Sequence, residues 1–141
     1  MKNFIIVVLL IFIPFSGAFS SDFDSGHTYH SEFKGKKYKS VMPIDTLKQS
    51  PDFDLKKSKL PMPLAKIIDI AYSQLIKVSG TKKGWIVSSI TLENWRENKD
   101  KWFYAVGFDQ RDLMALSHIT VLVTVDGQLG IIKEINERII K

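Results

Sequence analysis

The stretch Lys101-Trp102-Phe103-Tyr104-Ala105-Val106-Gly107-Phe108-Asp109, followed after a short charged connection (110–115) by Leu116-Ser117-His118-Ile119-Thr120-Val121-Leu122-Val123-Thr124-Val125, decides the fold. Alternate residues of a strand share one face of a sheet. Trp102, Tyr104, Val106 and Phe108 therefore form one apolar face, and Ile119, Val121, Val123 and Val125 form another. Asp126-Gly127 closes the second strand with a tight turn. Upstream, Trp85 to Glu93 reads as a further strand whose better apolar face, Ile86, Ile90 and Leu92, is interrupted at Ser88. Strands this close in sequence, with one face apolar, predict an antiparallel meander.

Working outward, Pro61-Met62-Pro63 is a stop and restart signal before a helix. Leu64, Ile67, Ile68, Ala71, Tyr72, Leu75 and Ile76 then recur at steps of three and four, and Gly80 is the natural cap at the far end. Ile131, Ile132, Ile135, Ile139 and Ile140 fit a short C-terminal helix, with a strand as the alternative. Residues 21–60 are polar and basic with no sustained period and read as an irregular N-terminal segment, apart from a short turn of helix at Ile44–Gln49. The expected fold is α+β: one main amphipathic helix packed on a three- to four-stranded antiparallel meander sheet over residues 61–141.

Residues 1–20 read as a signal peptide. Lys2 gives a positive start, Phe4 to Ile13 is apolar, Pro14 interrupts, and Ala18 and Ser20 stand at the small-residue positions before a cut. The apolar run is too short for a bilayer span of about 20 residues. A periplasmic or secreted chain is thus expected, with no transmembrane span after cleavage. Among its 141 residues there is no cysteine, which excludes disulfides, thiolate metal sites and cysteine nucleophiles and leaves core packing as the main source of stability.

The formal charge of +5 is carried by the middle of the chain. Residues 34–83 hold twelve lysines and no arginine against four aspartates. Lys34, Lys36, Lys37, Lys39, Lys56, Lys57 and Lys59 form a candidate surface for anionic glycan or lipid. Nucleic acid is not expected as a partner, because arginine and interleaved aromatics are lacking in that tract.

Catalytic chemistry has few carriers here. His118 sits on a strand face between apolar neighbours with no cysteine or paired carboxylate nearby in sequence, the adjoining Ser117 falling on the opposite face of the strand, and reads as a half-buried structural histidine. His27 and His30 with Asp24 and Glu32 offer metal-binding atoms, but an irregular segment does not align them, so no metal or other cofactor is expected. Gly80-Thr81-Lys82-Lys83-Gly84 follows a helix and precedes a strand, the reverse of a phosphate loop. The chain is therefore read as having no catalytic residues. The face opposite the helix carries Phe103, Ala105 and Gly107 beside Trp85, His118 and Leu122, a candidate partner-binding platform, with the N-terminal segment (Phe23, Tyr29, Phe33, Tyr38) as the competing cover for it.

Ala65-x-x-Ile68-x-x-Ala71-x-x-x-Leu75, the aromatic strand Trp102–Phe108 and the ending Val125-Asp126-Gly127-Gln128-Leu129 resemble the PepSY domain over about residues 63–130. Cystatin-like helix-on-sheet domains would produce much the same pattern. The resemblance implies an exported, non-catalytic binding or inhibitory module that restrains a peptidase or binds a peptide. No catalytic domain and no His-Glu-x-x-His follow, so that peptidase would be a separate polypeptide.

Overall fold

The computed structural model describes residues 27–111 and 116–136. The expected signal peptide, Phe23 and the last isoleucines lie outside them. The described residues form β1 (Thr28–Phe33), β2 (Lys36–Val41), α1 (Ile44–Gln49), α2 (Leu64–Ser79), β3 (Trp85–Trp95), β4 (Asn98–Arg111), β5 (Leu116–Thr124) and β6 (Ile131–Ile135). All six strands make one antiparallel sheet in the order β3-β4-β5-β1-β2-β6.

This corrects the expected fold of one main helix on a three- to four-stranded meander. The meander β3-β4-β5 and the helix α2 exist, but the sheet continues through β1, β2 and β6. The segment read as irregular is a hairpin, turned by Lys34 (φ 52°) and Gly35 (φ 71°). Two successive positive φ values give the two-residue turn whose twist suits a hairpin. Its strands bury Ser31, Phe33, Tyr38 and Ser40, and the two serines break the apolar alternation that would have announced it. The expected C-terminal helix is likewise replaced over Ile131–Ile135 by a strand, because β2 offers an open edge that pairs from Val41↔Ile131 to Lys37↔Ile135. Lys36 and Glu134 add an ion pair at 3.0 Å.

The serines explain how the sheet curls. β1 pairs with β5 only at Glu32↔His118 and then diverges from it. Thr120, next along that face of β5, would be left with an unpaired amide and carbonyl inside the fold. Ser31 Oγ accepts from the Thr120 amide at 3.0 Å, and Ser40 Oγ donates to the Thr120 carbonyl at 2.6 Å. Two side chains thus stand in for a missing strand, as buried backbone groups require. On the far side, the Gly130 amide bonds the Leu122 carbonyl at 2.7 Å, returning the chain to β5 before β6 joins β2. A Cβ at Gly130 would lie 2.8 Å from the Val41 carbonyl oxygen, so the close approach requires glycine.

α2 lies on one face through Ile67, Ala71 and Leu75, against Val106, Phe108, Ile119, Val121 and Val123. It ends at Gly80 in the left-handed conformation, whose amide bonds the Ile76 carbonyl at 2.8 Å. α1 covers part of the other face with Leu47 and the adjoining Met42 over Phe103, Ala105 and Leu122. The six helical residues Ile44–Gln49 are too few for a helix stable alone, so this packing holds it. A β-bulge between Val87 and Ser89 explains the interrupted face of β3: Trp85 and Val87 precede it, Ile90 and Leu92 follow it, and all four pack on the α2 side.

Ser40→Ala and Ser31→Ala should each lower stability by about 1–3 kcal/mol, the cost of an unsatisfied buried backbone group. The exposed change Ser58→Ala should stay within about 0.5 kcal/mol. Urea unfolding measures both, and serine variants as stable as the Ser58 variant would contradict the bridging role.

Candidate functional site: an apolar groove beside a free strand edge

The residues expected to form one partner-binding platform are divided by the fold. Phe103 and Leu122 are 0% and 1% exposed, and Ala105 is buried with them under α1. Trp85 lies on the opposite face, its ring 5.3 Å from that of Phe33. Of the expected cover, Tyr29 packs against the Phe103 cluster, whereas Phe33 and Tyr38 join the α2 side.

Gly107 and His118 remain together at the uncovered end of that face. His118 Nδ1 is 2.5 Å from Asp109 Oδ1, and its Nε2 is 2.9 Å from Thr120 Oγ1. Both ring nitrogens are thereby engaged, and the Thr120 side chain is buried. A Cβ at Gly107 would stand 2.3 Å from Ser89 Oγ and 3.2 Å from His118 Cε1. His30, Ser31, Glu32, Lys37, His118 and Ile135 line an open cleft of about 620 Å³ next to this cluster. His27 instead faces Glu93 at 3.7 Å and the Phe103 ring at 4.9 Å. Among the described residues no group of three or more histidine or acidic side chains is placed to hold a metal ion.

Glu93 also accepts a hydrogen bond from Tyr29 Oη. Burial, and then this bond and the carboxylate's charge, push the Tyr29 phenol well above its ordinary value.

The seven candidate lysines fall at two places. Lys34, Lys36, Lys37 and Lys39 lie on the β1–β2 hairpin, beyond the Glu32↔His118 and Asp109↔His118 pairings at one end of β4. Lys56, Lys57 and Lys59 lie on the loop that the Phe53 amide ties to the Asp100 carbonyl, at 2.8 Å, at the other end. Roughly 30 Å of strand separates these ends at about 3.4 Å per residue.

The sequence reading missed a groove. Phe53, Leu55, Ser58 and Leu60 from the 51–63 loop, Leu64 at the start of α2, Ile90 and Leu92 of β3 and Tyr104 of β4 enclose about 350 Å³. Leu55, Leu60 and Leu64 are 58%, 43% and 40% exposed. The loop is held in place by Lys101, which donates to the Ser50 carbonyl and pairs with Asp52 at 2.9 Å. Tyr104 is 3% exposed, and its hydroxyl has no hydrogen-bond partner among the described residues. Burial raises the pKa of that phenol too. Leu55 and Leu60, apolar residues set in a lysine-rich loop, were the sequence signal.

No helix among the described residues is long and apolar enough to cross a membrane. Compared with family models, curated proteins and solved structures, the chain matches none. The PepSY likeness therefore rests on the sequence pattern of residues 63–130.

A tyrosine whose folded-state pKa is raised contributes stability below its unfolded value, near pH 10, that is lost as pH climbs through the folded value. Between pH 8 and 11 the wild type should therefore lose more stability than Tyr29→Phe, narrowing the gap between them. Chemical unfolding across that range measures it; a constant gap would contradict the Tyr29–Glu93 interaction.

Proposed function

We propose that this chain is an exported, non-catalytic binding module whose apolar groove takes a segment of another protein, with a peptidase or a peptide as the partner class. One observation carries the reading. Of the five large hydrophobic side chains left exposed among the described residues, three, Leu55, Leu60 and Leu64, line the same groove. Singly exposed apolar residues are ordinary, but a cluster bordered by lysines marks an interaction surface.

The non-catalytic part is supported by the histidine geometry. His118 is held between Asp109 and a buried threonine, so both ring nitrogens are engaged and neither is free to activate the nearby Ser88 or Ser89 hydroxyl. The lysine-surface alternative has less behind it, since its seven residues are divided between opposite ends of β4. Export rests on the sequence of residues 1–20.

A random dodecapeptide library displayed on phage and selected on the immobilised chain tests the groove. Selected peptides should bind Leu55→Lys and Leu60→Lys at least about tenfold more weakly, the loss of one buried apolar anchor being about 1.4 kcal/mol or more. Thermal unfolding of both variants should be unchanged, because both side chains are exposed in the free chain. Peptides that bind the variants as tightly as the wild type would contradict the groove.

A further inference from the structure

We infer that the segment held in the groove is bound as an added β-strand, paired along the free edge of β3 over Ile90 to Asn94 and bearing acidic residues toward the 51–63 loop. This rests on the groove reading above and specifies its ligand: an extended peptide with apolar side chains at alternate positions and carboxylates beside them.

The edge itself is the first argument. β3 stands at one end of the sheet order, pairs only with β4, and runs for eleven residues. Its outer backbone groups meet no other described strand. Proteins ordinarily protect such edges with lysine, proline or a short strand. The opposite edge, β6, is five residues long and carries Lys133 and Glu134. β3 has neither lysine nor proline. Its only disruption before the last residue is the Val87/Ser89 bulge, which leaves Ser89 to Asn94 in continuous register with β4.

The groove is in step with that regular stretch. Ile90 and Leu92 are two residues apart on one strand, so they share a face, and both line the groove. A strand added to β3 projects alternate side chains onto that face, one after another, toward Leu55, Leu60 and Leu64. This is the geometry of recognition by strand addition, in which main-chain bonds give affinity and a pocket reads every second side chain. The groove floor also holds an unmet demand: the buried Tyr104 hydroxyl lacks an acceptor among the described residues, and a peptide backbone brings carbonyls.

Charge selects the peptide over a second copy of the chain. On the lining loop Asp52 is held by Lys101 at 2.9 Å and Asp54 by Lys57 at 3.6 Å. Lys56 and Lys59 are left with no acidic side chain paired to them among the described residues. An acidic peptide neutralises them, whereas a second copy brings the same lysines.

The test uses the full chain and the dodecapeptides selected on it. The expected consensus alternates apolar residues and includes aspartate or glutamate. Methylating two alternate backbone nitrogens on the edge facing β3 should weaken binding at least about tenfold, since each lost hydrogen bond is worth about threefold to tenfold. Methylating the two intervening nitrogens should change it less than about threefold. Equal sensitivity in both registers, or none, would overturn strand addition. If binding then still falls in Leu60→Lys, the groove reading survives and only the strand mode fails. Failure of the library to yield any peptide sensitive to Leu60→Lys would overturn both. Concentration-dependent dimerisation in sedimentation, abolished by Asn94→Pro, which removes an edge-facing amide, would overturn the peptide as occupant in favour of a second copy.

Discussion

The bond pair that joins Ser31 and Ser40 to the backbone of Thr120 is the constraint on which the rest of the structure turns. β1 can meet β5 at a single register position and then swing away only because two hydroxyls satisfy what the absent ladder would have. That divergence brings β2 round to receive β6 and places Met42 and α1 on the outer face of β4 and β5. One face of the central strands is then closed by α2 and the other by α1. Little open apolar surface remains except where the connection between the two helices crosses the edge of the sheet.

The groove follows from this arrangement. Residues 51–63 must pass from α1 on one face to α2 on the other, and they do so past β3 and the start of β4. Phe53 is drawn into the core and fixed to Asp100, whereas Leu55 and Leu60 have no core left to enter. Their exposure is a consequence of the crossing. Its placement beside a long edge strand lacking lysine and proline makes it a recognition surface, and the lysines between them give it a sign.

The central meander and α2 were legible because their apolar residues keep strict periods: Tyr104-Val106-Phe108, Ile119-Val121-Val123 and Ile67-Ala71-Leu75. The hairpin was not, because its inward positions include Ser31 and Ser40, chosen for hydrogen bonding to a backbone that sequence cannot display. β6 read as helix because Ile131, Ile132 and Ile135 satisfy a helical spacing as well as a strand, and only the open edge of β2 decides between them. For the site, alternation correctly put Phe103, Ala105, Gly107, His118 and Leu122 on one face. It placed Trp85 there too, because a bulge between Val87 and Ser89 leaves no sequence mark beyond the interrupted period. The groove was invisible for a different reason: its walls come from three separate segments, brought together by the crossing connection.

Amide hydrogen exchange along β3, with and without a selected peptide, tests the central claim most directly. In the free chain the edge-facing amides between Ile90 and Asn94 should exchange quickly while those directed at β4 are slow. Peptide binding should slow the edge-facing amides by at least about tenfold and leave the β1–β2 hairpin unchanged. A complex in which those amides exchange as in the free chain would contradict it.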